Sequence, residues 1–328
     1  MKNSIQVRPH AVMLGLASLA AVALASPAAA EWYPEKPVEL VIMAGEGGGA
    51  DKMARFFKQI IEDEDLSPVP FEPVNMPGDS GAEALMHLKK NKGNPHVVMV
   101  TLNSFYTTPL SRPNLKIDIL KYTPVARMAE DTFLLWVNKE SKINSLEEFV
   151  KAAQAKGSAW TMAGTGTASE DNLLTDFLND AYGLKMKYQP FKGGGRVAKE
   201  LAENRAQSTV NNPSEQDDFY QDGITMPLAA FTPERLAMYK DVPTFREKGN
   251  DMVYFMQRSI VGPPGLKPEV AEFYSRLFRA VYESKEWQDY MNRNSLKGEF
   301  ATGEPLVEYW KVGQEAHRKI LARTGKIN

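Results

Sequence analysis

The chain has 328 residues, with 43% hydrophobic, 24% charged and 10% aromatic content; this excludes disordered and collagen-like chains and suits about two domains, each with its own core. Lys and Arg number 39 and Asp and Glu 41, so no charge excess points to nucleic acid or an anionic membrane surface. The absence of Cys excludes disulfides, thiolate catalysis, iron–sulfur clusters and Cys-ligated zinc, and the four His residues, His10, His87, His96 and His317, lack the spacing of a metal site.

The first thirty residues read as a cleaved signal peptide. Lys2 and Arg8 give a positive start, Ala11 to Ala25 is uncharged and apolar, and Ala28-Ala29-Ala30 supplies a small-residue cleavage signature before Glu31. The apolar stretch is short for a membrane helix, which needs about 20 residues, and no Cys follows for lipid attachment. The expected product is exported, soluble and not membrane-inserted, and a chain without Cys fits a periplasm.

From there strands alternate with helices. Val38–Met43 is a short apolar run, and Asp51–Asp63 then sets Met53, Phe56, Phe57, Ile60 and Ile61 on one helical face. His96–Val100 and Phe133–Val137 are further strand candidates. Ser145 with Glu148 three residues on forms a capping box, opening a helix whose buried stripe is Leu146, Phe149, Val150 and Ala153. Ala159–Met162 reads as a strand, and Leu174, Phe177, Leu178 and Ala181 mark the next helix. Thr225–Ala230 and Val253–Val261 are late strands, and Pro268 starts a helix carrying Val270, Phe273, Tyr274, Leu277 and Val281. This alternation predicts an α/β fold with parallel sheets covered by helices on both faces.

Three glycine-rich turns lead from strands into helices: Gly45-Glu46-Gly47-Gly48-Gly49-Ala50-Asp51, Ala163-Gly164-Thr165-Gly166-Thr167-Ala168-Ser169, and Phe191-Lys192-Gly193-Gly194-Gly195-Arg196. Glycine permits close approach of backbone to a ligand, and a helix N-terminus offers unpaired N–H groups and positive potential for a carboxylate or phosphate. In an open α/β sheet such turns lie where ligands bind. Gly45-x-Gly47-x-x-Ala50 also imitates a dinucleotide fingerprint, which keeps a periplasmic enzyme acting on a phosphorylated substrate as an alternative. There is no Walker loop and no GxSxG elbow, and the pairs Asp217–Asp218 and Glu147–Glu148 read as solvated faces.

Several segments carry a family resemblance. Tyr33-Pro34-Glu35-Lys36-Pro37-Val38, then Gly47-Gly48-Gly49-Ala50-Asp51 with Ala54-Arg55, resembles the start of the tripartite tricarboxylate transporter receptors, the Bug-type or TctC-type periplasmic solute-binding proteins. Asn75-Met76-Pro77-Gly78 with Gly81-Ala82-Glu83, Tyr122-Thr123-Pro124-Val125-Ala126, Ser145-Leu146-Glu147-Glu148 and Ala163-Gly164-Thr165-Gly166 follow in the family's order. Phe191 to Gly195, Asp241 to Glu247 and Val261 to Gly265 complete the series, which spans essentially the whole exported chain.

The resemblance implies a two-lobed clamshell of the type II periplasmic binding protein kind, each lobe a mostly parallel sheet flanked by helices. Residues 31–131 with 253–328 would form one lobe and 132–252 the other, with the ligand between them. It implies a non-enzymatic receptor without cofactor or metal, likewise without a nucleic-acid partner. It would act as a monomer and deliver a small di-, tri- or aromatic carboxylate to membrane subunits of the TctA and TctB type; a sensor subunit for a signalling partner is the alternative in the same architecture. Carried over by position, Gly45, Glu46, Gly47 and Gly48 grip the ligand from one lobe, and Gly164, Thr165, Gly166 and Ser169 from the other. Thr101, Asn103 and Ser104 match a cleft segment, and Lys192, Gly193, Asn211 and Asn212 line the far wall. Arg258 is the candidate charged partner, with a hinge salt bridge as its other reading. Glu46 departs from the small residue usual there: it either faces solvent or recognises an ammonium group or a metal-bound carboxylate.

The leader reading has a direct check. Protein recovered after export should begin at or near Glu31, measured by intact mass; a retained leader in the membrane fraction would contradict it.

Overall fold

The structure, a computed structural model, describes Met1 and residues 31–327; apart from Met1, the expected leader lies outside the described residues. In chain order the first lobe is built from β1 (Val38–Ile42), α1 (Gly49–Asp63), β2 (Phe71–Asn75), α2 (Ala82–Lys90), β3 (Val97–Val100), α3 (Ser104–Ser111) and β4 (Thr123–Thr132). The second repeats this alternation with β5 (Leu134–Asn138), α4 (Leu146–Lys156), β6 (Thr161–Thr165), α5 (Glu170–Tyr182), β7 (Lys187–Phe191), α6 (Gly194–Ala202), β8 (Ser208–Asn211), α7 (Pro213–Gln221) and β9 (Thr225–Ala230). The chain then returns through β10 (Phe255–Gly262), α8 (Pro268–Glu283), α9 (Lys285–Arg293) and α10 (Gly303–Arg323) to the first lobe.

Each lobe holds one five-stranded sheet, of order β2-β1-β3-β10-β4 and β7-β6-β8-β5-β9. β1 pairs parallel with β2 and β3, while β10 runs antiparallel to both β3 and β4. The second sheet matches it: β6 is parallel to β7 and β8, and β5 is antiparallel to β8 and β9. In both, the strand next to one edge opposes the other four, and in both it is the strand that has just crossed from the other lobe. The crossings fall at Phe133, between β4 and β5, and at Tyr254, before β10.

The pleat divides each sheet between two cores. Val38, Leu40 and Ile42 of β1 pack with Phe57 of α1 and Phe278 of α8, whereas Val41 and Met43 join Leu85, Phe105 and Trp310 on the opposite face. Phe133, with Leu135 and Val137 of β5, faces Phe149 and Leu178, and Leu134 and Trp136 face Leu201 and Tyr239. Both faces are covered, which is why these strands read as continuous apolar runs. Pro268 stands at the first position of α8. Ser145 caps α4 by accepting from Glu148 N at 3.1 Å. The reciprocal half of the expected box is displaced by one residue, since Glu148 Oε2 accepts from Asn144 N at 2.7 Å instead of from Ser145.

Three strands had no apolar signature. β2 (FEPVN) and β7 (KYQPF) are edge strands carrying Pro73 and Pro190, positions where a missing donor is tolerated. β8 is buried but polar: Ser208 Oγ accepts from Trp160 Nε1 at 2.8 Å and Thr209 Oγ1 donates to Asn211 Oδ1 at 2.9 Å. No helix among the described residues is long and apolar enough to cross a membrane.

A buried polar chain ties the second crossing to the first lobe. Asn103 Nδ2 donates to Tyr254 Oη at 3.1 Å, Tyr254 Oη lies 2.8 Å from His317 Nε2, and His317 Nδ1 lies 2.7 Å from the Gly313 carbonyl. Burial lowers the His317 pKa to about 4, against a smaller opposing effect of the Gly313 bond. Between pH 4 and 6.5 the folded protein therefore binds fewer protons here than the unfolded chain does. The stability that neutral His317 contributes is complete above about pH 6.5 and is lost as pH falls toward about 4. Denaturant unfolding at pH 7 and pH 4.5 should show a smaller acid loss in His317→Gln than in the unsubstituted protein.

Candidate functional site

The turns at the carboxyl ends of the strands enclose a cavity of about 290 Å³ between the two sheets. Its wall carries the N-terminal residues of six helices: Gly49 of α1, Gly81 before α2, Ser104 of α3, Glu170 of α5, Gly194 of α6 and Asn212 before α7. Each presents first-turn amides and a partial positive charge of about one half, so the cavity has a built-in affinity for anions from both lobes.

Glycine serves here chiefly to let the lobes meet. A methyl group on Gly45 would collide with the Lys192 carbonyl oxygen, and one on Gly195 would lie 2.7 Å from the Gly47 carbonyl oxygen. The turn after β1 and the turn after β7 thus touch backbone to backbone. Around this contact Lys52 Nζ donates to the Ser214 carbonyl at 2.5 Å, Ser80 Oγ donates to the Thr167 carbonyl at 3.1 Å, and Thr167 N donates to Ser80 Oγ at 3.2 Å. Gly166 has φ of +56°, and a side chain on it would face Ser80 Oγ at 2.8 Å.

The chain's own carboxylates answer the helix N-termini. Glu215 of α7 crosses the cleft and accepts from Gly49 N at 3.0 Å, while its other oxygen accepts from Asn211 Nδ2 at 2.7 Å and Asn212 N at 3.1 Å. Glu170 of α5 accepts from Ser104 N at 2.9 Å across the same cleft. Asp171 Oδ2 accepts from Thr165 N at 2.7 Å and Thr165 Oγ1 at 3.1 Å. Burial drives the Asp171 carboxyl well above the usual carboxylate range, and Glu215 and Glu170 push the same way. Burial also raises Glu170.

Arg258 of β10 is 1% exposed and is committed to the protein. Its guanidinium pairs with Asp131 of β4 through Nε at 3.0 Å and through Nη2, and Nη2 also donates to Asn212 Oδ1 at 3.1 Å. Burial outweighs the arginine and lifts the Asp131 pKa to about 6. Asn212 Nδ2 donates to the Thr132 carbonyl at 2.7 Å, so Asn212 joins the second lobe to both members of this pair's strands. Gly49 makes room for the guanidinium: a methyl group there would lie 2.8 Å from Arg258 Nη2.

Of the residues expected at the site, Gly45, Gly48, Ser104, Thr165, Gly166, Ser169, Lys192, Gly193, Asn212 and Arg258 are brought together on the cavity wall. The structure places the others off it. Glu46 is exposed and Gly47 beside it faces outward. Thr101 Oγ1 donates to the Ser259 carbonyl at 3.1 Å, tying β3 to β10. Asn103 serves the Tyr254 crossing and accepts from Gln257 N at 3.0 Å. Gly164 makes room for the Tyr188 ring and the Asp171 side chain. Asn211 holds Glu215 in place. Of those on the wall, Thr165 Oγ1 is engaged by Asp171, and Ser169 Oγ donates to the Thr165 carbonyl. Glu170, Asp171 and Glu215 were not anticipated, although each stands in the first turn of a helix, where acids complement the dipole.

Residues 73–302 match the family described as tripartite tricarboxylate transporter family receptor, TctC. The chain belongs to this receptor family. BugT of Bordetella pertussis is 22% identical over 274 residues, 81% of this chain and 82% of that protein. An R. palustris protein solved with adipate superposes with a TM-score of 0.84 at 20% identity, covering 89% of this chain and 98% of that one. MatC from Rhodopseudomonas palustris, solved with malate, gives a TM-score of 0.77 at 20% identity, covering 88% of this chain and 100% of that one. These structural likenesses establish a shared two-lobed α/β binding-protein fold.

The glycine contact between the lobes yields a prediction. Gly45→Ala should hold the lobes apart and give a larger radius of gyration by small-angle X-ray scattering, with unchanged far-ultraviolet circular dichroism. Equal radii would show that the contact does not limit closure.

Proposed function

We propose that this receptor is exported to the periplasm and captures a small organic carboxylate between its lobes. It then delivers the ligand, as a monomer, to membrane subunits of a tripartite tricarboxylate-type transporter. The carrying observation is the convergence of six helix N-termini from both lobes on one cavity. Not all of their donors are consumed internally. The Ala50 and Gly194 amides donate to no protein partner, and the Ser104 hydroxyl, on a residue 4% exposed, makes no hydrogen bond. Backbone amides and a hydroxyl can satisfy a carboxylate without a full countercharge, which suits a site whose buried arginine is already paired. The volume is at the small end for ligand pockets and fits an acid of four to eight carbons. The adipate and malate held by structurally similar proteins support the same class.

The role requires binding and release with no turnover step. The glycines of the turn before α1, read as a dinucleotide fingerprint, instead contact the opposite lobe and Glu215, which argues against a pyrophosphate there.

The test is thermal unfolding against a panel of di-, tri-, aromatic and amino-bearing carboxylates. At least one should raise the melting temperature, and ligand at 100 times Kd should add about 2.7 kcal/mol. No shift with any carboxylate, together with a shift from a sugar, would overturn the reading.

A further inference from the structure

The cavity's hydrogen-bonding inventory is lopsided. It offers free donors, as described above, and a free acceptor: Asp171 of the cavity wall is 3% exposed, both bonds from Thr165 go to its Oδ2, and its Oδ1 accepts none. Glu170 and Glu215 stand on the same wall. The one buried cation there, Arg258, is neutralised by Asp131. Lys192 is exposed, and Arg112 pairs with Asp79 at 3.4 Å. Three protein carboxylates therefore already occupy amides that a second ligand carboxylate would need. A ligand with two carboxylates would bring its second group against oxygens of Asp171, Glu170 and Glu215 that already hold the amides it needs.

We propose that the ligand is a monocarboxylate bearing an ammonium group, with Asp171 Oδ1 receiving the ammonium and Glu215 and Glu170 setting the selectivity against diacids. This rests on the carboxylate-receptor reading and narrows it. An ammonium donates three hydrogen bonds and accepts none, which matches an acceptor left unfilled inside a carboxylate-lined wall. It would also relieve the cost of holding Asp171 and Glu170 ionised while buried. Among the described residues no group of three His, Asp or Glu side chains is arranged to hold a metal ion, so an organic cation suits the wall better than a chelated metal. The acid in the sequence that suggested such recognition, Glu46, lies outside the cavity; the discrimination falls to residues on α5 and α7 instead.

Calorimetry with three matched pairs tests this: succinate with 4-aminobutanoate, adipate with 6-aminohexanoate, and terephthalate with 4-(aminomethyl)benzoate. In each pair that binds, the amino acid should bind at least about tenfold more tightly than the diacid. Asp171→Asn and Glu215→Gln should each move that ratio roughly tenfold toward the diacid, the size expected for a hydrogen bond to a charged group. Glu215→Gln keeps an oxygen for Gly49 N and a residue type accepted at this capping position, so it carries the test if Asp171→Asn does not fold. Glu46→Gln, the same charge change on an exposed residue, should leave the ratio unmoved. A diacid as the tightest binder, or a ratio unchanged in the folded Asp171 and Glu215 variants, would overturn the proposal and leave the carboxylate receptor standing. Binding of none of the six would likewise overturn the proposal, and the wider panel above then decides the carboxylate reading separately.

Discussion

Everything about the cleft follows from pointing six helix N-termini into one small volume. Each helix end brings unpaired amides and partial positive charge, and together they crowd positive potential into one cavity. The chain resolves this internally. Glu215 reaches from the second lobe to Gly49 of the first, Glu170 does the same to Ser104, and Asp171 folds back on Thr165. Two of these three bonds cross the cleft, so the groups that balance the dipoles also hold the lobes together. The ligand enters as a competitor for this arrangement, and the donors and acceptor left over define what it must carry.

Closure also has a steric condition. Two turns of opposite lobes meet backbone to backbone, Gly45 against Lys192 and Gly193, and Gly195 against Gly47, and a side chain on Gly45 or Gly195 would collide there. The same residue type that invites a ligand-cradle reading is here a lobe-contact device, with Gly49 additionally admitting the Arg258 guanidinium. Behind the cleft the two chain crossings are fixed differently. Phe133 passes next to the Asp131–Arg258 pair, which is buried and anchored to Asn212, while Tyr254 is held by Asn103 and His317. Removing one partner of such a buried ion pair generally costs about 3–5 kcal/mol, so Arg258 is a poor candidate for a group that lets go of Asp131 to seize a ligand.

The α/β alternation, the covered strands and the glycine turns at helix starts were legible from residue order, because period-two and period-3.6 patterns and local capping are properties of neighbouring residues. β1, α1, β9 and the proline start of α8 fall where the periodicity puts them. β2 and β7 were not legible, because an edge strand needs no apolar run, and β8 was hidden because its buried side chains are hydrogen-bonded polar groups. The motif series pointed to the receptor family without any knowledge of the cleft.

What the sequence could not decide was which way a side chain faces across a gap bridged by residues far apart in the chain. Glu46 and Glu215 are both acids near glycine turns; only the packing of one lobe on the other exposes the first and buries the second against Gly49, 166 residues away. Arg258 met Asp131 only when β10 returned beside β4. The sequence by itself determined the elements, their order and the kind of cleft they form, since those depend on local periodicity and backbone freedom. The charge balance inside the cleft was decided by the tertiary structure alone, because it depends on the distances between lobes and on which carboxylates lose their water.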